Sequence, residues 1–317
     1  MRTLRFVTAD VFTPTPFAGN QLAVVFGADG LPTATLQAIT REFNYSETTF
    51  VFAPETPGTT RRVRIFTPGR EVPFAGHPTL GTAHVLAATG EVTPTPAERA
   101  SGAMTVVLGE GVGPVPVRLT LADGVPVEAE LTTAQLPEER VEVTDREALA
   151  AMLSLPPDAV LGGLHAPTGV SCGLPFQIIA LRDVEAVVQA RLRVDHWERT
   201  LAGRWAEWPM VFAMRADDDP ADLPDHVRRC DIRARVFVPN DGIPEDPATG
   251  SANAALAGYL GARTPREGTL QWHVAQGVEM GRPSRLRITA EKTGERLRAI
   301  RVAGASVVMS EGTLRVP

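Results

Sequence analysis

Three side chains in this sequence have the type and the company needed to move a proton unaided. Glu47 stands where the polar loop Asn44-Tyr45-Ser46 runs into the apolar stretch Thr48-Thr49-Phe50-Val51-Phe52. A carboxylate partly buried at such a boundary has its pKa raised toward neutrality, which suits a general acid or base. The plainer reading is an exposed acid at the start of a strand. His77 and Asp246 are linked by a weak repeat. His77-Pro78-Thr79-Leu80-Gly81-Thr82-Ala83 lies over Asp246-Pro247-Ala248-Thr249-Gly250-Ser251-Ala252 without a gap, pairing Pro78 with Pro247, Gly81 with Gly250, Thr82 with Ser251 and Ala83 with Ala252. Both copies run on into small apolar residues, which suggests two half-molecules related by duplication. His77 and Asp246 then occupy equivalent places, suited to holding a substrate's polar groups or passing protons, with histidine apt to titrate near neutrality. A structural histidine and a simple N-cap are the plainer roles.

The elements that must position these residues follow from the same stretches. Each copy reads as the start of a helix, with Pro78 and Pro247 at the first helical position, where a missing N–H costs nothing. Both are rich in Ala, Gly, Ser and Thr, so other backbone can approach and each helix can sit inside a sheet. The free N–H groups of a helix start bind anions, carboxylates included. Two such starts facing each other across a cleft would make a pocket for a small acidic molecule.

Leu36, Ile39 and Phe43 recur at helical spacing over 33–43, whereas 4–12, 21–26, 47–52 and 61–66 read as strands. Residues 91–102 read as a loop, followed by three strands over 104–108, 115–121 and 125–131. Pro137 to Arg140 resembles an interdomain crossing. Beyond it the outline repeats: helical segments near 145–153, 184–191 and 195–204, strands at 175–181, 210–214 and 232–238, the helix from Pro247, and four strands in the tail. Many short strands and few long helices argue α+β, with mainly antiparallel sheets.

Bulk properties narrow the function. The chain has 317 residues, 44% hydrophobic and 21% charged, with a formal net charge of −6. That length allows two domains of ordinary size, and the mild acidity leaves no footprint for nucleic acid or an anionic membrane. The N-terminus reaches Asp10 too soon for a signal-peptide core and no run approaches spanning length, so a cytoplasmic location is expected. Lys292 is the one lysine, so a catalytic Schiff base has a single candidate. Cys172 and Cys230 lie far apart without ligand-spaced histidines and read as incidental thiols. Gly109-Glu110-Gly111-Val112-Gly113 is glycine-rich but lacks a following Gly-Lys-Ser/Thr and reads as a turn, and Asp217-Asp218-Asp219 reads as a solvated loop. No metal site, nucleotide fingerprint or serine-hydrolase motif is recognised, so the expected chemistry needs no cofactor and runs on side-chain acids and bases.

Asn44-Tyr45-Ser46-Glu47-Thr48-Thr49-Phe50-Val51, Phe74-Ala75-Gly76-His77-Pro78-Thr79-Leu80-Gly81-Thr82-Ala83 and Glu245-Asp246-Pro247-Ala248-Thr249-Gly250-Ser251-Ala252 resemble three signatures of the phenazine-biosynthesis PhzF-like isomerase family. Gln276-Gly277-Val278-Glu279-Met280-Gly281-Arg282-Pro283-Ser284 resembles its fourth and Phe17-Ala18-Gly19-Asn20 its first loop, so the likeness covers nearly the whole chain.

The resemblance implies a diaminopimelate-epimerase-like fold of two pseudo-symmetric domains, each a mostly antiparallel sheet rolled around a central helix. The expected domains are 1–125 with about 303–317, and 126–302, with the active site in the cleft between them. It implies a homodimer, Glu47 as general acid/base, and His77, Asp246 and Ser251 as groups that bind or relay protons. Gly76 and Gly250 match backbone positions that receive a substrate carboxylate, and Asn20 falls in the substrate-binding first loop. Related epimerases and racemases use a cysteine pair at the helix starts; here Asp246 stands where the second thiol would be.

The resulting expectation is an isomerase that moves a proton between carbons of a small carboxylated, unsaturated or cyclic metabolite. An epimerase pairing Glu47 with Asp246 or His77, and a binding protein without turnover, are the alternatives. Specificity is expected in loops such as 164–174 and 215–225.

Overall fold

A computed structural model describes every residue except 144, 216–222, 241, 242 and 317. Asp217-Asp218-Asp219, and with it most of the 215–225 loop, lies outside the described residues. The chain divides into two compact units, Met1–Leu131 with Ala303–Pro317, and Thr132–Val302.

The first unit opens with antiparallel β1 (Arg2–Val11) and β2 (Asn20–Phe26). Helix α1 (Thr33–Phe43) then crosses over to β3 (Glu47–Phe52), which runs parallel to β2, as a helical connection allows. Strands β4 (Arg61–Phe66) and β5 (Glu71–Val72) continue antiparallel and lead to α2 (Gly76–Ala88) and α3 (Pro96–Ser101). A meander of β6 (Ala103–Glu110), β7 (Gly113–Ala122) and β8 (Val125–Thr132) follows. The unit reaches Leu131, beyond residue 125, because β8 stays paired with β7 as far as Leu131 opposite Val117.

Two kinds of helix appear here, and the sequence announces them differently. In α1 one face is apolar, and Leu36 and Ile39 pack onto a core containing Leu4, Val25, Phe50 and Phe66. In α2 every residue from Gly76 to Leu86 is buried, so no amphipathic period is visible. It touches β1, β2, β3, β6 and β7. A Cβ on Gly81 would lie 2.6 Å from both Leu22 and Val11 side chains, so the small residue is what admits the helix among the strands.

The expected loop over 91–102 contains α3. Thr95 accepts from the Glu98 N–H while the Glu98 carboxylate accepts from the Thr95 N–H, with Pro96 at the first turn. This capping box nucleates a short helix.

The second unit comprises β9 (Glu138–Arg140), α4 (Arg146–Met152), β10 (Thr168–Ser171), β11 (Pro175–Ala180), α5 (Val184–Gln189), α6 (Val194–Thr200) and β12 (Trp208–Met214). It continues through α7 (Asp225–Arg228), β13 (Ile232–Phe237), β14 (Glu245–Asp246), α8 (Gly250–Arg263), β15 (Gly268–Gln276), β16 (Ser284–Thr293) and β17 (Arg296–Gly304). Its pairings are mixed: β11 with β12 and β13 with β15 are parallel, the latter bridged by α8, and β12–β13, β13–β14 and β15–β16 are antiparallel. Helix α8 is buried from Ala252 to Gly261 and touches β10, β11, β15 and β16. The last strand, β18 (Ser306–Val316), returns to the first unit and pairs antiparallel with β1, Arg2 opposite Val316.

Lys292 sits at the far end of α8. Its ammonium donates to the carbonyls of Gly261 (3.1 Å) and Thr264 (2.5 Å), a favourable place for a cation at a helix C-terminus. The helix runs 14 residues from Gly250, or about 20 Å at 1.5 Å per residue, so Lys292 serves the fold and is no Schiff-base lysine at the helix start.

Candidate active site

In the first unit, three of the expected site residues meet at one point. The parallel register of β2 and β3 sets Leu22 opposite Glu47, which brings Asn20, at the start of β2, and Glu47, at the start of β3, to the same edge. Helix α2 is tied to β3 by a 2.8 Å hydroxyl pair, Thr49 to Thr82. His77, in its first turn, lies with Nδ1 3.3 Å from Glu47 Oε2 and 3.3 Å from Asn20 Nδ2, and with Nε2 3.3 Å from the Gln21 carbonyl.

These distances assign the protons. A carbonyl only accepts, so Nε2 carries the imidazole hydrogen and Nδ1 presents its lone pair to the Asn20 amide. Burial drives the His77 pKa from 6.5 down to about 3, with the Gln21 carbonyl pulling weakly the other way. The imidazole is therefore neutral at physiological pH, and the expected titration near neutrality is corrected: removing the ring from water penalises its charged form. Glu47 Oε2 faces the same ring nitrogen, so a proton gained by the carboxylate would meet a lone pair able to accept it.

In the second unit, Asp246 is not the N-cap expected for α8. It lies in β14, and the helix begins at Gly250 with Thr249 as its N-cap. The first-unit copy is offset as well: α2 starts at Gly76, so Pro78 is its third residue, and Pro247 precedes α8 altogether. The repeat aligns residues, while the helices start at different points along it. Thr249 Oγ donates to Asp246 Oδ2 at 2.5 Å. Gln276, from β15, donates to the Asp246 carbonyl (2.8 Å) and to Thr249 Oγ (3.0 Å), and accepts from the Asn253 amide (2.8 Å) and the Thr249 N–H (3.3 Å). A Cβ on Gly277 would fall 2.5 Å from the Pro247 carbonyl, so that glycine lets the loop into α8 lie against β15.

Thr249, Asn253 and Gln276 were not among the expected site residues. The four-residue spacing of Thr249 and Asn253 ahead of an apolar helix was the available signal; Gln276 joins only through the β13–β15 register.

Neither helix start carries a side-chain cap: Ala75 has no group to offer, and Thr249 spends its hydroxyl on Asp246. Gly76 and Gly250, both buried, are the first helical residues, and half-buried Ser251 follows Gly250. First-turn N–H groups without a protein cap are suited to an anion.

The two cysteines offer no alternative. Burial pushes the Cys172 thiol up to about 12 and the Cys230 thiol up to about 11, far from the thiolate a proton-transfer cysteine needs. No helix among the described residues is long and apolar enough to cross a membrane.

Solved structures share this fold. A PhzF-family phenazine biosynthesis protein from Bacillus anthracis superposes over the full length of both chains with a TM-score of 0.83 at 21% identity. A hydroxyproline epimerase from Agrobacterium vitis superposes over 99% of this chain and 91% of its own with a TM-score of 0.58 at 12% identity. Residues 9–312 match the family model described as phenazine biosynthesis-like protein, and the chain belongs to this PhzF family of isomerases. It is 40% identical to an uncharacterized isomerase of Mesorhizobium japonicum over 99% of each chain. It is 35% identical to trans-2,3-dihydro-3-hydroxyanthranilate isomerase of Pseudomonas aeruginosa, over 97% of this chain and 98% of that one.

Proposed function

We propose that this isomerase moves a proton between two carbons of a small carboxylated, conjugated or cyclic metabolite without a cofactor, with Glu47 as the acid/base. The observation that carries the reading is the Glu47–His77 contact of 3.3 Å, set at an uncapped helix start. In the proposed cycle the Glu47 carboxylate takes a proton from one substrate carbon, and the electrons spread over the conjugated system. Neutral His77 accepts a hydrogen bond from the resulting carboxylic acid. The acid then returns the proton to another carbon, leaving enzyme and proton count unchanged. N–H groups at the α2 start, Gly76 first, receive the substrate carboxylate or the developing enolate oxygen. Asp246 and Ser251 hold the substrate's polar substituents.

The relatives motivate the first substrate to try. Purified protein is incubated with trans-2,3-dihydro-3-hydroxyanthranilate in deuterated buffer and followed by NMR, beside Glu47→Gln. Conversion with deuterium at the new C–H, absent in the variant, is the expected result. No conversion by folded protein rejects that substrate, and conversion by Glu47→Gln at the wild-type rate rejects Glu47 as proton carrier. Deuterium at the original carbon with inverted configuration would instead favour the epimerase reading, in which Asp246, 9% exposed, is the second base. The further proposal of a cytoplasmic homodimer is tested by light scattering and cell fractionation.

A further inference from the structure

Glu110, the last residue of β6, is a carboxyl the proposed chemistry does not use, and it is 9% exposed. Its Oε1 lies 2.7 Å from Thr79 Oγ on α2, and that same hydroxyl lies 2.7 Å from the Ala75 carbonyl. A hydroxyl has one proton. The carbonyl can only accept, so when Thr79 donates to Ala75 the remaining contact requires Glu110 to donate, and the carboxyl must be protonated. Burial acts in the same direction, pushing Glu110 from 4.5 up to about 8, partly offset by the Thr79 hydroxyl. Its other oxygen, Oε2, is buried without a hydrogen-bond partner among the described residues, which again suits the neutral acid.

The surroundings locate what this chain of bonds controls. After Glu110 the backbone turns through Gly111, where a Cβ would lie 2.8 Å from Pro73 Cα and 3.0 Å from the Pro73 carbonyl. The β6–β7 turn is thus pressed against the segment that enters α2. The Ala75 carbonyl and the Gly76 N–H are the two ends of one planar peptide, so a bond that fixes the carbonyl fixes the direction of the N–H.

We propose that Glu110 is a positioning residue: as a neutral acid it aims the Gly76 N–H at the substrate carboxylate through Thr79 and the Ala75 carbonyl. This rests on the reading of the α2 start as the carboxylate site. When Glu110 ionises, the Thr79 hydroxyl turns to donate to the carboxylate, and the Ala75 carbonyl loses its 2.7 Å bond and keeps only the 3.3 Å one from the Thr79 backbone N–H. A buried negative charge then lies beside a site meant for an anion. Substrate affinity falls on the alkaline side, while the proton-transfer step at Glu47 is untouched. The charged or titratable side chains on neighbouring elements are His77 and His84 of α2, Glu98 and Arg99 of α3, Arg61, Arg62 and Arg64 of β4, Glu71 of β5 and Arg118 of β7. None of them contributes to the shift of Glu110, which burial and Thr79 account for.

The test joins a substrate-free readout to a kinetic one. In wild-type protein the Gly76 amide ¹H–¹⁵N signal should titrate with a midpoint near the value of about 8 that burial gives Glu110. Glu110→Gln, whose amide donates to Thr79 at every pH, should abolish that titration, as should Thr79→Val, and Thr79→Ser should restore it. With the substrate above, wild-type KM should rise about tenfold between roughly pH 7 and 9.5 with kcat nearly constant, the size expected for one misaligned hydrogen bond to a charge, and Glu110→Gln should hold KM flat. A Gly76 signal that does not move, or one that titrates equally in Glu110→Gln, overturns the proposal. A protein without turnover but with the Gly76 titration intact refutes the substrate assignment and supports the hydrogen-bond chain, so the two failures are separable.

Discussion

The starts of α2 and α8 share one sequence pattern and are built differently. At α2 the polar residue of the repeat, His77, lies inside the helix's first turn and reaches back to two strand ends, where it meets Asn20, the Gln21 carbonyl and Glu47. At α8 the corresponding residue, Asp246, stays in a strand four residues ahead of the helix and is surrounded by donors. A neutral imidazole lone pair facing a carboxyl is a place where a proton can come and go. A carboxylate gripped by a threonine hydroxyl, its backbone held by a glutamine amide, is a fixed acceptor. On the proposed reading, one half handles the proton and the other holds substrate, and the structural difference lies in where each helix begins.

The sharpest way to break this division is Glu47→Gln. The amide cannot exchange a proton with carbon, so kcat should fall about 10³-fold, within the range for losing a general acid/base, while the far-UV circular dichroism and Tm stay close to wild type. A loss below tenfold would move the proton-handling role away from the first unit.

Next in size is an acid effect tied to His77. Its folded-state pKa, about 3, lies below the ordinary value of 6.5. The unfolded chain therefore takes up the proton first, and stability present above pH 6.5 is lost as pH falls from there toward 3. The full loss is roughly 3–5 kcal/mol at about 1.4 kcal/mol per pH unit. His84, buried in the same helix with its pKa lowered to about 4, acts in an overlapping window, so the diagnostic quantity is the difference between wild type and His77→Gln. Denaturant melts at stepped pH should show the variant with a flatter acid limb; identical limbs would mean that the His77 ring is protonated in the folded protein.

Much of this was legible in the sequence, and the failures have physical causes. Helix α1 shows itself through Leu36, Ile39 and Phe43, because one face meets the core and the other meets water. Helices α2 and α8 have no such stripe, being buried on nearly all sides, and were visible only through their repeated small residues. The candidate residues Glu47, His77, Asn20 and Asp246 could be singled out by motif. The protonation of His77 could not, since burial and the Gln21 carbonyl are products of tertiary packing. The helix starts were misplaced because proline at a first position is a tendency, and here strand β14 and the Gln276 contacts override it. Gln276 was quoted in a motif but had no visible role, since β15 reaches Asp246 only after the sheet has formed.

On the holding side, Gln276→Ala removes two donated and two accepted hydrogen bonds from a buried cluster. The expected destabilisation is about 2–4 kcal/mol, from buried groups left unpaired. Asn20→Ala, which removes the amide that donates to His77, should cost about 1–2 kcal/mol on the same scale. Chemical denaturation of both variants tests the ranking, and a reversal would show that the first-unit cluster is the more rigid of the two.

The smallest expected effect discriminates most finely. Asp246→Asn keeps the shape and still accepts from Thr249, so a residue that only holds substrate should lose about tenfold in kcat/KM, near 1.4 kcal/mol, with the change in KM. A kcat loss matching that of Glu47→Gln would instead make Asp246 a second base. The comparison would then collapse into symmetry: two carboxylates, one in each unit, each able to carry a proton, as an epimerase requires. Steady-state kinetics of the two single variants and of the double variant decide between these. Independent roles give multiplicative losses, whereas two members of one proton-transfer pair give a double variant little worse than either single one.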